Sequence, residues 1–97
     1  MSRDIDVIAK EAKRLIEYIV KAIVDNTDDV RVDLTILKFR ILLELHTNTT
    51  DVVHVVGKQG AVVESIRHIL YVFGGKNKIK VNLDYITEHE NAVRNRH

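Results

Sequence analysis

The chain has no cysteine, no proline and no tryptophan. Without cysteine there is no disulfide scaffold, no thiolate metal site and no cysteine nucleophile. A thiol-free chain also fits a reducing cytoplasm, which is the expected localisation. No functional conclusion follows from the missing proline. Aromatic residues make up only 5% of the sequence while the hydrophobic fraction is 45%, so the expected core is aliphatic. Formal net charge is only +1. A strongly basic protein would announce polyanion binding; here any such site must be a local patch. No apolar run is long enough to span a membrane, and Met1-Ser2-Arg3-Asp4 leads into an amphipathic segment rather than a leader's uniform apolar stretch. No membrane partner and no small-molecule substrate are expected.

Ninety-seven residues bound the chain to one domain, expected over 1–86 with 1–14 extending the first helix. Ile5, Ile8, Ala9, Ala12, Leu15, Ile16, Ile19, Val20 and Ile23 recur at three- and four-residue spacing, predicting a helix over 5–25 that packs on a core. Asp25-Asn26-Thr27-Asp28-Asp29 then reads as a turn. Its oxygens lack the spacing of an EF-hand loop, and no metal is expected. Alternation of Val30, Val32 and Leu34 with Arg31 and Asp33 predicts a strand over 30–34, and a turn is expected over 35–38. A second strand is expected over 39–47, with Phe39, Ile41, Leu43 and Leu45 on one face and Leu42 unexplained on the other. Thr50 or Asp51 can cap a short helix through Val52–Val56.

The most informative stretch comes next. An apolar run ends at Gly57-Lys58-Gln59-Gly60, and Val62, Val63, Ile66, Ile69, Leu70 and Phe73 then share one helical face. Glycine lets the backbone approach another backbone closely and take positive φ. The helix start directs free N–H groups and a positive dipole end toward the loop, and Lys58 adds an ammonium. Together these suit a phosphodiester. Gly74 and Gly75 are expected to stop the helix at about Phe73, and Ile79, Val81 and Leu83 alternate as a third strand. From Thr87 onward the sequence is polar and reads as a mobile tail, with Thr87 and Glu90 at capping-box spacing.

The predicted order, α-β-β-α-GXXG-α-β, resembles that of a type II KH domain, an α+β fold. Leu15 to Asn26 and Val55 to Gly60 resemble the corresponding segments of the small bacterial single-KH proteins of the KhpA family. The likeness runs from about Leu15 to Ile86. It implies a three-stranded mixed sheet covered on one side by three helices, and an RNA-binding protein without enzymatic activity. It also implies self-association, or pairing with the larger Jag-type KH protein (KhpB family), and a part in RNA-level control of cell elongation and division. The KH loop clamps about four nucleotides of single-stranded RNA. The expected groove lies between this loop with its two helices and the third strand. Gly57, Lys58, Gln59 and Gly60 hold phosphate; Val53, Val56, Val63 and Ile66 form an aliphatic floor; Arg67, Lys78 and Lys80 add charge. No aromatic side chain is expected where bases would stack. The residues just after the loop are more apolar and less basic than the family pattern, which weakens phosphate binding more than it touches the fold.

An interaction-only adaptor is the other class to weigh, because Tyr71 and Val72 fall off the apolar helix face. No cofactor is expected. His46, His54, His68, His89 and His97 are scattered without carboxylates at catalytic or metal-ligand spacing, and no phosphate-binding loop or nucleophile elbow is present.

Overall fold

The first helix, α1 (Ile5–Ile23), begins where Asp4 takes extended geometry and accepts a hydrogen bond from the Asp6 N–H at 3.0 Å. Its buried stripe is Ile8, Ala9, Ala12, Ile16 and Val20. Two alanines in that stripe are fully buried, so the helix backbone lies close to what it covers. Ile16 is fully buried, and trimming it to alanine costs about 2–5 kcal/mol. The helix ends two residues before the predicted limit. Val24 turns extended and buries its own side chain, which carries the chain off the helical path.

The computed structural model describes residues 4–87. The polar tail and its Thr87–Glu90 spacing therefore lie outside the described residues beyond Thr87. After α1 the order is β1 (Arg31–Leu37), β2 (Arg40–His46), α2 (Val52–Val56), α3 (Ala61–Asn77) and β3 (Lys80–Tyr85). β1 and β2 form an antiparallel hairpin, and β3 lies parallel to β2 on its far side. The sheet order is β1-β2-β3. This is the type II KH arrangement, an α+β fold with a mixed sheet covered on one side by helices. No described helix is long and apolar enough to cross a membrane.

The core is aliphatic, as the composition implies. Ile41, Leu43 and Leu45 of β2, Val81 and Leu83 of β3, and Val32 of β1 meet Ile16 and Val20 of α1 and Val63, Ile66 and Leu70 of α3. Leu42 has its reason in the register: it sits between Thr35 and Asn82 on the sheet's other face, half-buried by its neighbours.

Two boundaries move. β1 runs on through Thr35-Ile36-Leu37, so the predicted turn over 35–38 is strand, and Leu37 pairs with Arg40 across a two-residue loop of Lys38 and Phe39. Phe39 is thus at a hairpin tip, at φ 61 and 78% exposed, not on the core face with Ile41. α3 does not stop at Phe73 but runs through Gly74 and Gly75. It closes where the Lys78 N–H donates to the Gly75 carbonyl at 3.3 Å and the Ile79 N–H to the Gly74 carbonyl at 2.9 Å. This is a Schellman closure with Lys78, at φ 58, in the left-handed position usually held by glycine. Gly74 is required for room: a Cβ there would meet the Ile79 carbonyl oxygen at 2.4 Å.

Candidate nucleic-acid interface

The segment from Asn48 to Gly60 is tied to the end of α1 by one carboxylate. Asp51 is 1% exposed. It accepts the Asp25 N–H, the Asn26 N–H and the Asn26 side-chain amide, each at 3.0 Å. It does not cap α2 as the sequence suggests; Asn48 accepts the Thr50 N–H at 2.9 Å and caps the turn before it. The Asp25 amide holds the Asp51 carboxyl below its ordinary value of 3.8, opposed by burial and helped by Asn26. His54 Nε2 lies 3.5 Å from Asp25, completing a group of Asp25, Asp51 and His54. Both Asp51 oxygens accept from amide donors of Asp25 and Asn26, so Asp51 serves as a brace.

From that brace the chain enters the GXXG loop. Gly57 takes φ 75 and ψ 176, and its N–H closes α2 on the Val53 carbonyl. A Cβ on Gly57 would lie 2.3 Å from Val62 Cγ2 and 2.9 Å from the Val62 backbone nitrogen. Gly60 takes φ 78 with nothing within 4 Å of a would-be Cβ, and Gln59 shares the left-handed region at φ 57. Gly57 is therefore fixed by space and angle, Gly60 by angle alone. The result is one tight turn, Lys58–Gly60, that leaves the Lys58 and Gln59 side chains exposed at the start of α3.

The four aliphatic residues expected as a floor separate. Val53 is 71% exposed on α2 and Val56 is half-buried. Val63 and Ile66 are 7% and 2% exposed and belong to the core. The correction has a simple cause: α3 needs these two positions to bind the sheet, so they cannot also face a ligand.

The expected cations do converge. Arg67, Lys78 and Lys80 line one groove of about 630 Å³ between α3 and the outer edge of β3. Arg67 is partly committed, since its Nε donates to the Leu83 carbonyl at 3.2 Å and its Nη1 pairs with Glu64 at 2.6 Å. Among the described residues no carboxylate-bearing side chain lines the groove, but Phe39 and Tyr71 do. Sequence patterning places no aromatic side chain in the expected groove, whereas the structure puts these two in its lining. Hairpin length, which put Phe39 at the tip, was the signal that sequence patterning missed. Lys58 and Gln59 are not part of this lining. They stand at the N-terminal end of α3, which spans about 25 Å at 1.5 Å per residue over its 17 residues.

Residues 13–85 match the family described as KhpA/KhpB, KH domain. The chain belongs to that family. It is 38% identical over 74 residues to the RNA-binding protein KhpA of Halalkalibacterium halodurans, covering 76% of this chain and 97% of that protein. It is 35% identical over 74 residues to the RNA-binding protein KhpA of Clostridium perfringens, covering 76% and 99%. It is 38% identical over 61 residues to the RNA-binding protein KhpA of Mycobacterium leprae, covering 63% and 76%. No solved structure matches it significantly. KhpA/KhpB membership accounts for the order of elements.

Proposed function

We propose that this KhpA/KhpB-family chain binds short single-stranded RNA, without a catalytic step. A phosphate sits on the Gly57-Lys58-Gln59-Gly60 turn, and the strand continues past Val53 and Val56 and along the groove edged by Arg67, Lys78 and Lys80. The observation that carries this reading is the turn itself. Positive φ at Gly57, Gln59 and Gly60 bares a backbone beside the N-terminus of a long helix, with an exposed ammonium next to it. Such a place favours an anion. The names of the relatives support the same ligand class. Val63 and Ile66 contribute from beneath, by holding α3 in place.

Four cations, Lys58, Arg67, Lys78 and Lys80, set the electrostatics. With three or four phosphates neutralised, affinity falls roughly as the third power of salt concentration. Affinity for one domain is expected to be about micromolar, so a homodimer or a larger KH partner gives useful binding through avidity. The role that follows is that of a cytoplasmic post-transcriptional regulator or RNA chaperone.

The test is fluorescence anisotropy of a labelled, unstructured RNA with wild type and with Lys58→Asp/Gln59→Asp, circular dichroism confirming that both fold. Binding by wild type, with at least a tenfold loss in the variant, is expected. Equal binding by both places the phosphate elsewhere. Tyr71 and Val72, 75% and 59% exposed on α3, favour a second reading as a protein-binding adaptor. That reading takes over when neither protein binds RNA at low salt.

A further inference from the structure

Phe39 breaks two local rules at once. It is a bulky side chain at φ 61, in a region that suits glycine or asparagine, and it is 78% exposed. The core does not use it. Strain of this kind tends to persist at functional positions. Phe39 lines the α3–β3 groove from the hairpin side, and Tyr71 lines it from α3 with 75% of its surface exposed. The Tyr71 ring rests on His68 with centroids 6.2 Å apart and planes 24° from parallel. Lys38 Nζ lies 5.6 Å from the Phe39 ring centroid. Two exposed aromatic rings thus border a groove whose charged lining residues, among those described, are the cations Arg67, Lys78 and Lys80.

The groove also has a hydrogen-bonding wall. The Leu83 carbonyl accepts from Arg67, so it faces away from β2. Strand alternation turns the N–H and carbonyl of Val81 the same way, toward the free edge. Asn82 is also part of the lining.

We propose that this end of the groove is a stacking subsite for one unpaired nucleobase, with the Tyr71 and Phe39 rings as its faces and the edge of β3 reading the base. The inference rests on the RNA-binding reading above. The cationic lining fits a polyanion's phosphates, and an aromatic face takes any base. Tyr71 lies eleven residues after Gly60, about 16 Å along the helix, so this base belongs to a different nucleotide from the one whose phosphate meets the turn.

The experiment uses full-length protein and labelled oligouridine carrying one 2-aminopurine. Tyr71→Leu is expected to weaken binding about tenfold, in line with stacking measured by truncation at other single-strand sites. Phe39→Gly is expected to weaken it about fivefold while raising Tm by about 4 °C, because glycine accepts the positive φ. Quenching of 2-aminopurine on binding should be lost in both. Wild-type affinity and quenching in both variants, with Lys58→Asp/Gln59→Asp still deficient, overturns the subsite and leaves the RNA reading intact. Loss in the aromatic variants with wild-type binding by Lys58→Asp/Gln59→Asp upholds the subsite and removes the turn. Affinity that falls only as sedimentation shows a dimer becoming a monomer makes the groove a protein contact and overturns the subsite. No RNA binding by wild type overturns both.

Discussion

Gly57-x-x-Gly60 and Gly74-Gly75 each follow an apolar helical stretch, and by pattern each reads as a helix end. They behave differently. The first pair interrupts the helical path, with both glycines at positive φ. The second lies inside α3, which runs on to Asn77. Within each pair only one member is needed for space. A Cβ on Gly57 would strike Val62, and a Cβ on Gly74 would strike the Ile79 carbonyl. Gly60 and Gly75 have nothing within 4 Å of that position. What a glycine does is set by what the fold lays against it, and by φ, rather than by its own helix.

Alanine at the four positions should therefore separate them, read as urea unfolding free energies. Gly57→Ala should cost most, about 3–4 kcal/mol, since a left-handed angle and an overlap with Val62 add. A loss below about 1 kcal/mol would mean that the turn reorganises freely. Gly74→Ala should cost about 2–3 kcal/mol from overlap alone. Its damage should appear as faster amide exchange at Lys78 and Ile79, whose N–H groups close the helix. Gly60→Ala meets only the angle and should cost about 1–2 kcal/mol. Gly75→Ala should stabilise, by about 0.5–1 kcal/mol, because alanine is the better helix former in open space. An equal cost at Gly60 and Gly75 would break the distinction between angle and space.

Acid should also separate the two ends of α3, with a smaller effect. The segment leading to Gly57 is braced by Asp51, while the Gly74 end is closed by backbone bonds. The Asp51 carboxyl is held below 3.8 in the folded chain. Its contribution to stability is therefore present above about that pH and is lost as pH falls through the folded value. Amide exchange, corrected for intrinsic rates, should lose protection at residues 52–57 before it does at 78–79. Asp51→Asn should remove that difference.

Much of the fold was legible in the sequence. The period of α1, the alternation in β2 and β3, and the GXXG turn with the helix behind it each carry a local signal that neighbours cannot override. The candidate site was legible in part. Lys58 and Gln59 stand exposed at the turn, and Arg67, Lys78 and Lys80 share one groove. Val63 and Ile66 were misassigned because a face apolar enough to bind a ligand is also apolar enough to be core. Phe39 was misplaced because no glycine or asparagine marks the tip of its hairpin.

The sequence by itself determined the elements, their order and the aliphatic core, because side-chain periodicity and the special angles of glycine act within a few residues of the chain. Only the tertiary structure decided that Asp51 braces α1 rather than capping α2, that Gly74 makes room for Ile79, and that Phe39 and Tyr71 line one groove with Arg67, Lys78 and Lys80. Those outcomes depend on groups far apart in the chain, and their contacts exist only once sheet register and helix packing bring them together.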